Sequence, residues 1–313
     1  MVTGSSTAAR PSISVIICAH SLERWELLRS AVFSAAAEKP DDVLVVIDHN
    51  DRLLMTAVEG LTETSGPTRI RVIANSNQTG LSGARNTGIA STDATIVAFI
   101  DDDAEVIPGW IGHLLAPFSD TSVVAVGGRA MPARPDRFPA WWPPEYNWVV
   151  GCSWTGLPDA LTEVRNVIGC CMAFRRDALV ETEGFDPALG RVGSNAAGCE
   201  ETELCIRLRR GGARVLYEPR ATVLHHVDDR RLTARYFIRR CWSEGRSKAR
   251  ISRRLDGGSL GPERRFAIDA VRQSISTGTR ATLRLEWSGI ARAAALVGGL
   301  CTTGLGFAWP VRG

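Results

Sequence analysis

The first hundred residues alternate short, mostly apolar runs with stretches of helical spacing. Ile13-Ser14-Val15-Ile16-Ile17-Cys18, Val43 to Ile47, Arg69 to Ala74 and Thr95 to Ile100 read as strands. Leu22 to Ala37, a stretch reaching about Thr64, and Gly83 to Ala90 read as the helices between them. Short strands without a polar face imply a sheet covered on both sides, with parallel crossovers. The expectation is therefore an α/β fold with a mostly parallel central sheet flanked by helices. In such sheets ligands bind beyond the carboxyl ends of the strands. His20, Asp48, Asn75 and Asp101 sit just past those ends and should converge on one crevice.

Asp101-Asp102-Asp103 follows the fourth run directly. Adjacent carboxylates repel one another and need compensation. A divalent cation supplies it, because Mg²⁺ and Mn²⁺ take oxygen ligands and bridge to phosphates. For a lone triplet, a solvated turn capping a helix from near Pro108 is the plainer alternative. A dinucleotide-binding fold would need a glycine-rich turn after the first strand, so that backbone can approach a pyrophosphate. No glycine occurs between Gly4 and Gly60, and the turn reads Ala19-His20-Ser21-Leu22-Glu23-Arg24. A P-loop is absent as well. Phosphates held by this fold need another partner, and a metal at Asp101 to Asp103 fits that need.

Composition narrows the class. The net charge of +3 hides a basic segment: Arg230 to Arg254 holds ten Lys/Arg and one Glu, a local +9. The remainder carries 27 basic and 33 acidic residues, so it is net acidic, and nucleic acid is not an expected partner. The eight cysteines include no C-x-x-C pair and suit reduced thiols in a cytoplasmic protein. Met1 to Arg10 is short, polar and expected to be disordered, with no apolar signal-peptide core. Ala293 to Val311 is uncharged over nineteen residues, the lower edge of a membrane span. Its Gly, Thr and Pro content favours a packed or interfacial helix.

Taken together, these motifs resemble family 2 of the inverting glycosyltransferases, with the GT-A nucleotide-diphospho-sugar fold. The resemblance covers roughly residues 11 to 250. It rests on Val15-Ile16-Ile17-Cys18-Ala19-His20, Val45-Val46-Ile47-Asp48-His49-Asn50, Asn77-Gln78-Thr79-Gly80-Leu81-Ser82-Gly83-Ala84-Arg85-Asn86 and Phe99-Ile100-Asp101-Asp102-Asp103. Gly169-Cys170-Cys171-Met172-Ala173-Phe174-Arg175-Arg176, Gly184-Phe185-Asp186 and Glu200-Glu201-Thr202-Glu203-Leu204 follow in the family's order. The resemblance implies a catalytic domain over 11–229 and a helical C-terminal region over 230–313. It implies donor contacts along Ala19, His20, Asp48, Arg85, Asp101 and Asp102, with Asp48 at the nucleobase and Arg85 facing the nucleotide. It places Asp103 as direct metal ligand, Asp101 between ribose and metal, and His225 as a further ligand, though His226 is adjacent.

Inverting transfer needs a base for the acceptor proton and a cation for the departing diphosphate. The resemblance puts the base at the second acid of Glu200-Glu201, where the family usually has Glu-Asp. Glu201 is therefore the expected base and Glu200 its substitute. As plain sequence, the pair could equally be acids favouring a helix N-terminus. Phe138 to Trp154 carries four of the nine tryptophans among prolines and reads as an acceptor-side loop or an anchored insertion. Arg231, Arg235 and Arg239 at i, i+4 spacing read as a basic amphipathic helix suited to an anionic membrane surface.

The implied activity is a hexosyltransferase-like enzyme, dependent on Mn²⁺ or Mg²⁺, that moves a sugar from a nucleotide-diphospho-sugar, UDP-sugar by default. The implied acceptor is a cell-envelope glycan or lipid-linked acceptor at the cytoplasmic membrane face, with segments 230–254 and 283–313 toward the membrane. The alternatives are the same fold acting on a soluble natural product, or a catalytically silent sugar-nucleotide-binding protein.

Overall fold

The structure, a computed structural model, describes residues 10–61, 68–190, 198–254 and 287–309. The polar start of the chain, the second helix beyond Leu61, residues 283–286 and residues 310–313 lie outside the described residues. Strands β1 (Ile13–Ala19), β2 (Asp42–Ile47), β3 (Arg69–Ala74) and β4 (Ile96–Asp101) alternate with helices α1 (Trp25–Ala37), α2 (Asp51–Leu61) and α3 (Leu81–Ala90). The four strands pair in parallel in the order β3-β2-β1-β4. β2 is buried at every position, which explains why its sequence shows no alternation. α1 buries Leu28, Ala31, Val32 and Ala35, one helical face.

Beyond β4 the chain departs from the expected arrangement. β5 (Ala104–Val106), α4 (Trp110–Leu115), β6 (Val123–Pro132), β7 (Thr162–Glu163), β8 (Cys171–Arg175), α5 (Arg176–Glu181), α6 (Glu200–Arg210) and β9 (Arg214–His225) follow. The nine-stranded sheet continues β4-β8-β6-β9-β5, with β7 beside β9. β8 runs antiparallel to β4, β6 antiparallel to β8, and β5 antiparallel to β9; only β6 and β9 pair in parallel here. The sheet is mixed rather than mostly parallel, because regular helical crossovers stop after β4.

Core residues fill both faces of the sheet. Ile13, Val15 and Ile17 join the cluster under α1, α2 and α4, while Ile16 joins Phe99, Phe174 and Phe185 under α3 and α6. α3 enters this second layer closely: a Cβ on Gly83 would lie 1.9 Å from the Gln78 carbonyl oxygen, so only glycine fits.

A third cluster mounts the C-terminal helices α7 (Ala234–Arg254) and α8 (Trp287–Ala308). The tryptophan-rich segment is not simply a loop, since Pro144–Val150 forms a 3-10 helix. Its Trp142 and Tyr146 are buried against Phe237 of α7 and Leu296 of α8, with Trp141 and Trp148 packed alongside. α7 begins at Ala234 and not at Arg230. Asp229–Arg231 is a separate 3-10 turn, so Arg231 does not continue the face of Arg235 and Arg239. All eight cysteines are unpaired, and Cys301 alone of them is exposed.

Candidate active site at the carboxyl ends of β4 and β9

β4 delivers Asp101 at its last position, and the turn into β5 carries Asp102 and Asp103. β9 ends at His225, which pairs with Ala104 across the antiparallel β5–β9 ladder. That register brings the His225 Nε2 to 3.1 Å from the Asp103 Oδ1, both side chains almost wholly buried. One ligand atom each from Asp101, Asp103 and His225 lies within 4.8 Å of the others. His226 points the other way, its Nε2 2.7 Å from the Glu105 Oε1, as alternation along a strand requires.

Two carboxylates and an imidazole are a donor set that suits Mn²⁺. Asp103 Oδ1 agrees: it is buried with the His225 imidazole beside it but no well-formed hydrogen bond among the described residues, so it can turn to a cation. These residues fit a divalent cation. Burial would raise the Asp103 carboxyl, but facing His225, Arg24 and Arg231 hold it well below the usual carboxylate range. Burial would lower the His225 imidazole, yet Asp103 pushes it up to about 10.

Two arginines that the sequence did not assign to the site, Arg24 and Arg231, neutralise the triplet. Arg24 Nη1 donates to Asp102 Oδ1 at 2.6 Å and lies 3.2 Å from Asp103 Oδ2. Arg231 Nη1 stands 3.8 Å from the same Asp103 oxygen. Asp102 is thus a brace from the triplet to the first turn. Burial, then its neighbour Asp103, pushes its carboxyl up to about 7 against the pull of Arg24.

α6 starts on Glu200, after Cys199 in the left-handed region at φ 74. Glu200 is buried, and its Oε1 accepts from Arg85 Nη1 at 3.0 Å. Arg85 Nη2 donates to the Gly169 carbonyl at 3.1 Å and stands 3.7 Å from Asp101 Oδ1. Its guanidinium lies over the rings of Phe99 and Phe185. Arg85 therefore sits beneath the crevice, joining the triplet to the glutamate pair. Glu201 is partly buried, and a Cβ on Gly169 would lie 4.0 Å from its carboxyl carbon. Burial, and then Glu200, pushes the Glu201 carboxyl up to about 8.

Asp48 follows β2, and its amide donates to the Ala19 carbonyl at 2.8 Å. Its carboxylate accepts from Asn75 Nδ2 at 2.7 Å and from the Gly80 amide at 2.9 Å. Asp48 thereby ties the ends of β1, β2 and β3 to the loop before α3. Ala19 is buried, whereas His20 is exposed, with its carbonyl accepting from Asn50. His20, Asp48, Asn75 and Asp101 all lie along this one edge of the sheet.

The chain is similar in sequence and fold to known proteins. The family model "Glycosyl transferase family 2" matches residues 14–182. A glucosyl-dolichyl phosphate glucuronosyltransferase of Haloferax volcanii is 31% identical over 240 residues, 75% of this chain and 76% of that protein. A pre-mycofactocin glycosyltransferase of Mycobacterium tuberculosis is 30% identical over 204 residues, 61% of this chain but only 41% of that longer protein. Among solved structures, the mannosyltransferase PcManGT of Pyrobaculum calidifontis, in complex with GDP-Man and Mn²⁺, shares the fold. Its TM-score is 0.64 at 18% identity, covering 94% of this chain and 87% of that one.

Proposed function

This chain belongs to glycosyl transferase family 2, nucleotide-sugar-dependent enzymes, and we propose that it transfers the sugar by metal-dependent inversion onto a lipid-linked or cell-envelope glycan acceptor. The observation that carries this reading is the pairing of two clusters through one buried arginine. Asp101, Asp103 and His225 form an oxygen-and-nitrogen ligand set, and Arg85 links Asp101 to the Glu200-Glu201 pair.

Asp101, Asp103 and His225 would hold the cation, Mn²⁺ or Mg²⁺. When bound there, it supplies positive charge to the departing diphosphate. Arg24 and Arg231 bring further positive charge to the same end of the crevice. Glu201 takes the proton of the attacking hydroxyl; a carboxyl raised to about 8 is a stronger base than an ordinary glutamate. Glu200 is locked on Arg85 and adds like-charge repulsion to the burial that holds Glu201 high. Asp48, fixed between the strand ends, faces the nucleobase, with a UDP-sugar as the first donor to try.

The acceptor assignment draws on the Haloferax relative, whose name gives a glucosyl-dolichyl phosphate as its substrate. A peripheral position at the cytoplasmic membrane face goes with such an acceptor. A thermal-shift panel of UDP- and GDP-sugars, with and without Mn²⁺ or Mg²⁺, tests donor and metal together. Stabilisation that needs both sugar nucleotide and metal is expected. Equal stabilisation without metal would overturn the metal mechanism. Tight nucleotide binding with no transfer to any acceptor would mark a silent binding protein.

A further inference from the structure

Every exposed residue of α8 is uncharged. These residues recur every three or four positions along all 22 residues, forming one stripe about 33 Å long by the rise of an α-helix. The stripe includes Trp287 at 83% exposure, Ile290, Val297 at 48%, Leu305 at 63% and, just past the helix, Trp309 at 56%. The one charged residue of α8, Arg292, is off the stripe and donates to the Ala140 carbonyl. A charge-free, largely apolar stripe of this length marks an interaction surface. We propose that α8 lies flat in the interface of an anionic lipid bilayer, its exposed stripe in the acyl boundary and α7 supplying the cationic border.

The length and apolar composition of α8 would also allow a span. Packing decides against it. α7 lies along α8 in backbone contact: a Cβ on Gly245 would sit 2.1 Å from the Thr303 carbonyl oxygen, and one on Gly306 2.5 Å from that of Trp242. At this level α7 carries Arg240, Glu244, Arg246 and Lys248. Midway along α8, a Cβ on Gly299 would lie 2.6 Å from the Tyr146 ring of the catalytic body. Spanning would draw those charges and that body into hydrocarbon, where ionised groups are costly. A helix with one face on the protein and the other apolar instead lies in the interface plane.

Charge and aromatic placement identify the occupant as a bilayer. Trp287 and Trp309 bracket the stripe, and indole rings favour the headgroup boundary. The apolar surface continues onto α7 through Trp242, whose ring packs against Trp309, and α7 also exposes Ile238. Arg235 and Arg239 are i, i+4 neighbours on the helix surface, Arg235 also three residues from Ile238. Both are exposed, and among the described residues neither forms an ion pair, in contrast to Arg240 and Lys248, which pair with Glu244. Arginines with no carboxylate partner beside an apolar stripe, Arg239 lying over the Tyr236 ring, suit anionic headgroups and disfavour a second copy of the same basic surface.

Flotation of the full chain with vesicles of phosphatidylcholine, alone or enriched in phosphatidylglycerol, tests the proposal. The chain should float with the anionic vesicles and be released by alkaline carbonate. Val297→Glu with Leu305→Glu should abolish flotation while leaving sugar-nucleotide binding intact, which shows the fold is kept. Arg235→Gln with Arg239→Gln should weaken anionic-vesicle binding about 30-fold, the effect of two basic residues near such a surface. Retention after carbonate would establish a span and overturn the in-plane reading. Absence of flotation, or a dimer that the double-glutamate variant dissolves, would give the stripe to another occupant. None of these outcomes bears on sugar transfer, which is measured separately.

Discussion

Asp103 Oδ1 and His225 Nε2 face one another at 3.1 Å, both side chains buried, with the half-buried Asp101 beside them. Without a cation the two form a charged pair: burial alone would lower His225, but Asp103 raises it to about 10. A metal must displace that imidazole proton. Mn²⁺ binding should therefore release a proton and tighten as pH rises from 7 toward 9. Calorimetric titrations in buffers of different ionisation enthalpy measure this directly. His225→Ala should abolish the proton release, and Asp103→Asn should lower transfer by about 10²-fold or more, the scale of a lost Lewis acid. Proton release that persists in His225→Ala would remove His225 from the ligand set.

Glu201 sets the expected pH profile. Its carboxyl is raised to about 8 by burial and by Glu200, and a general base works only when ionised. kcat/KM should thus climb with pH and level off above about 8, the reverse of a group needed protonated. Glu201→Gln should erase that limb and lower the rate by about 10²- to 10⁴-fold. Glu200→Gln removes the neighbouring negative charge, so the limb should move to lower pH. A limb that survives in Glu201→Gln would transfer the role to Glu200.

These two sites differ in how far the sequence discloses them. β1, β2 and β4 were legible because strands buried on both faces read as apolar runs, the half-buried edge strand β3 keeps enough apolar residues to be read with them, and Asp101 to Asp103 close the last of these. The antiparallel half was not, since β7 is two exposed residues and β5 only three. Their partners are set by tertiary contacts, so local pattern is mute. Arg24 escaped notice because a charged residue in a turn is ordinary until burial pairs it with Asp102. Arg231 was drawn into a helix by i, i+4 spacing that also runs through a 3-10 turn. Thr233 was the available signal: its hydroxyl accepts from the Tyr236 amide and caps the true start of α7. His225 and His226 looked equivalent until the β5–β9 register turned one inward.

Arg85 should be as important to folding as to chemistry. It is buried, with Glu200, the Gly169 carbonyl and Asp101 around it and two phenyl rings against it. Arg85→Met would strand the Glu200 carboxylate, a change worth about 3–5 kcal/mol. Denaturant unfolding measures that loss. Arg85 also opposes the rise of Glu201, so its removal should push the rate limb above pH 8. Arg85→Lys should restore part of the charge effect but not the forked geometry. An unshifted limb in a folded Arg85→Met variant would uncouple Arg85 from the base.

The seam between α7 and α8 offers a test by paired glycines. At Gly245 an added Cβ would meet the Thr303 carbonyl oxygen at 2.1 Å and the Phe307 amide nitrogen at 2.7 Å. Backbone atoms cannot yield as side chains do, so Gly245→Ala should destabilise by about 1–3 kcal/mol or prise the helices apart. On the same α8, a Cβ at Gly304 meets nothing within 4 Å. Gly304→Ala should therefore be neutral or stabilise by up to about 1 kcal/mol through helix propensity alone. Thermal unfolding and limited proteolysis of the two variants separate the cases. Faster cleavage near α8 is expected in Gly245→Ala only, with sugar-nucleotide binding kept, because the Asp103–His225 pair belongs to the sheet rather than to the seam. Indistinguishable variants would mean that α8 is not seated on α7 in solution.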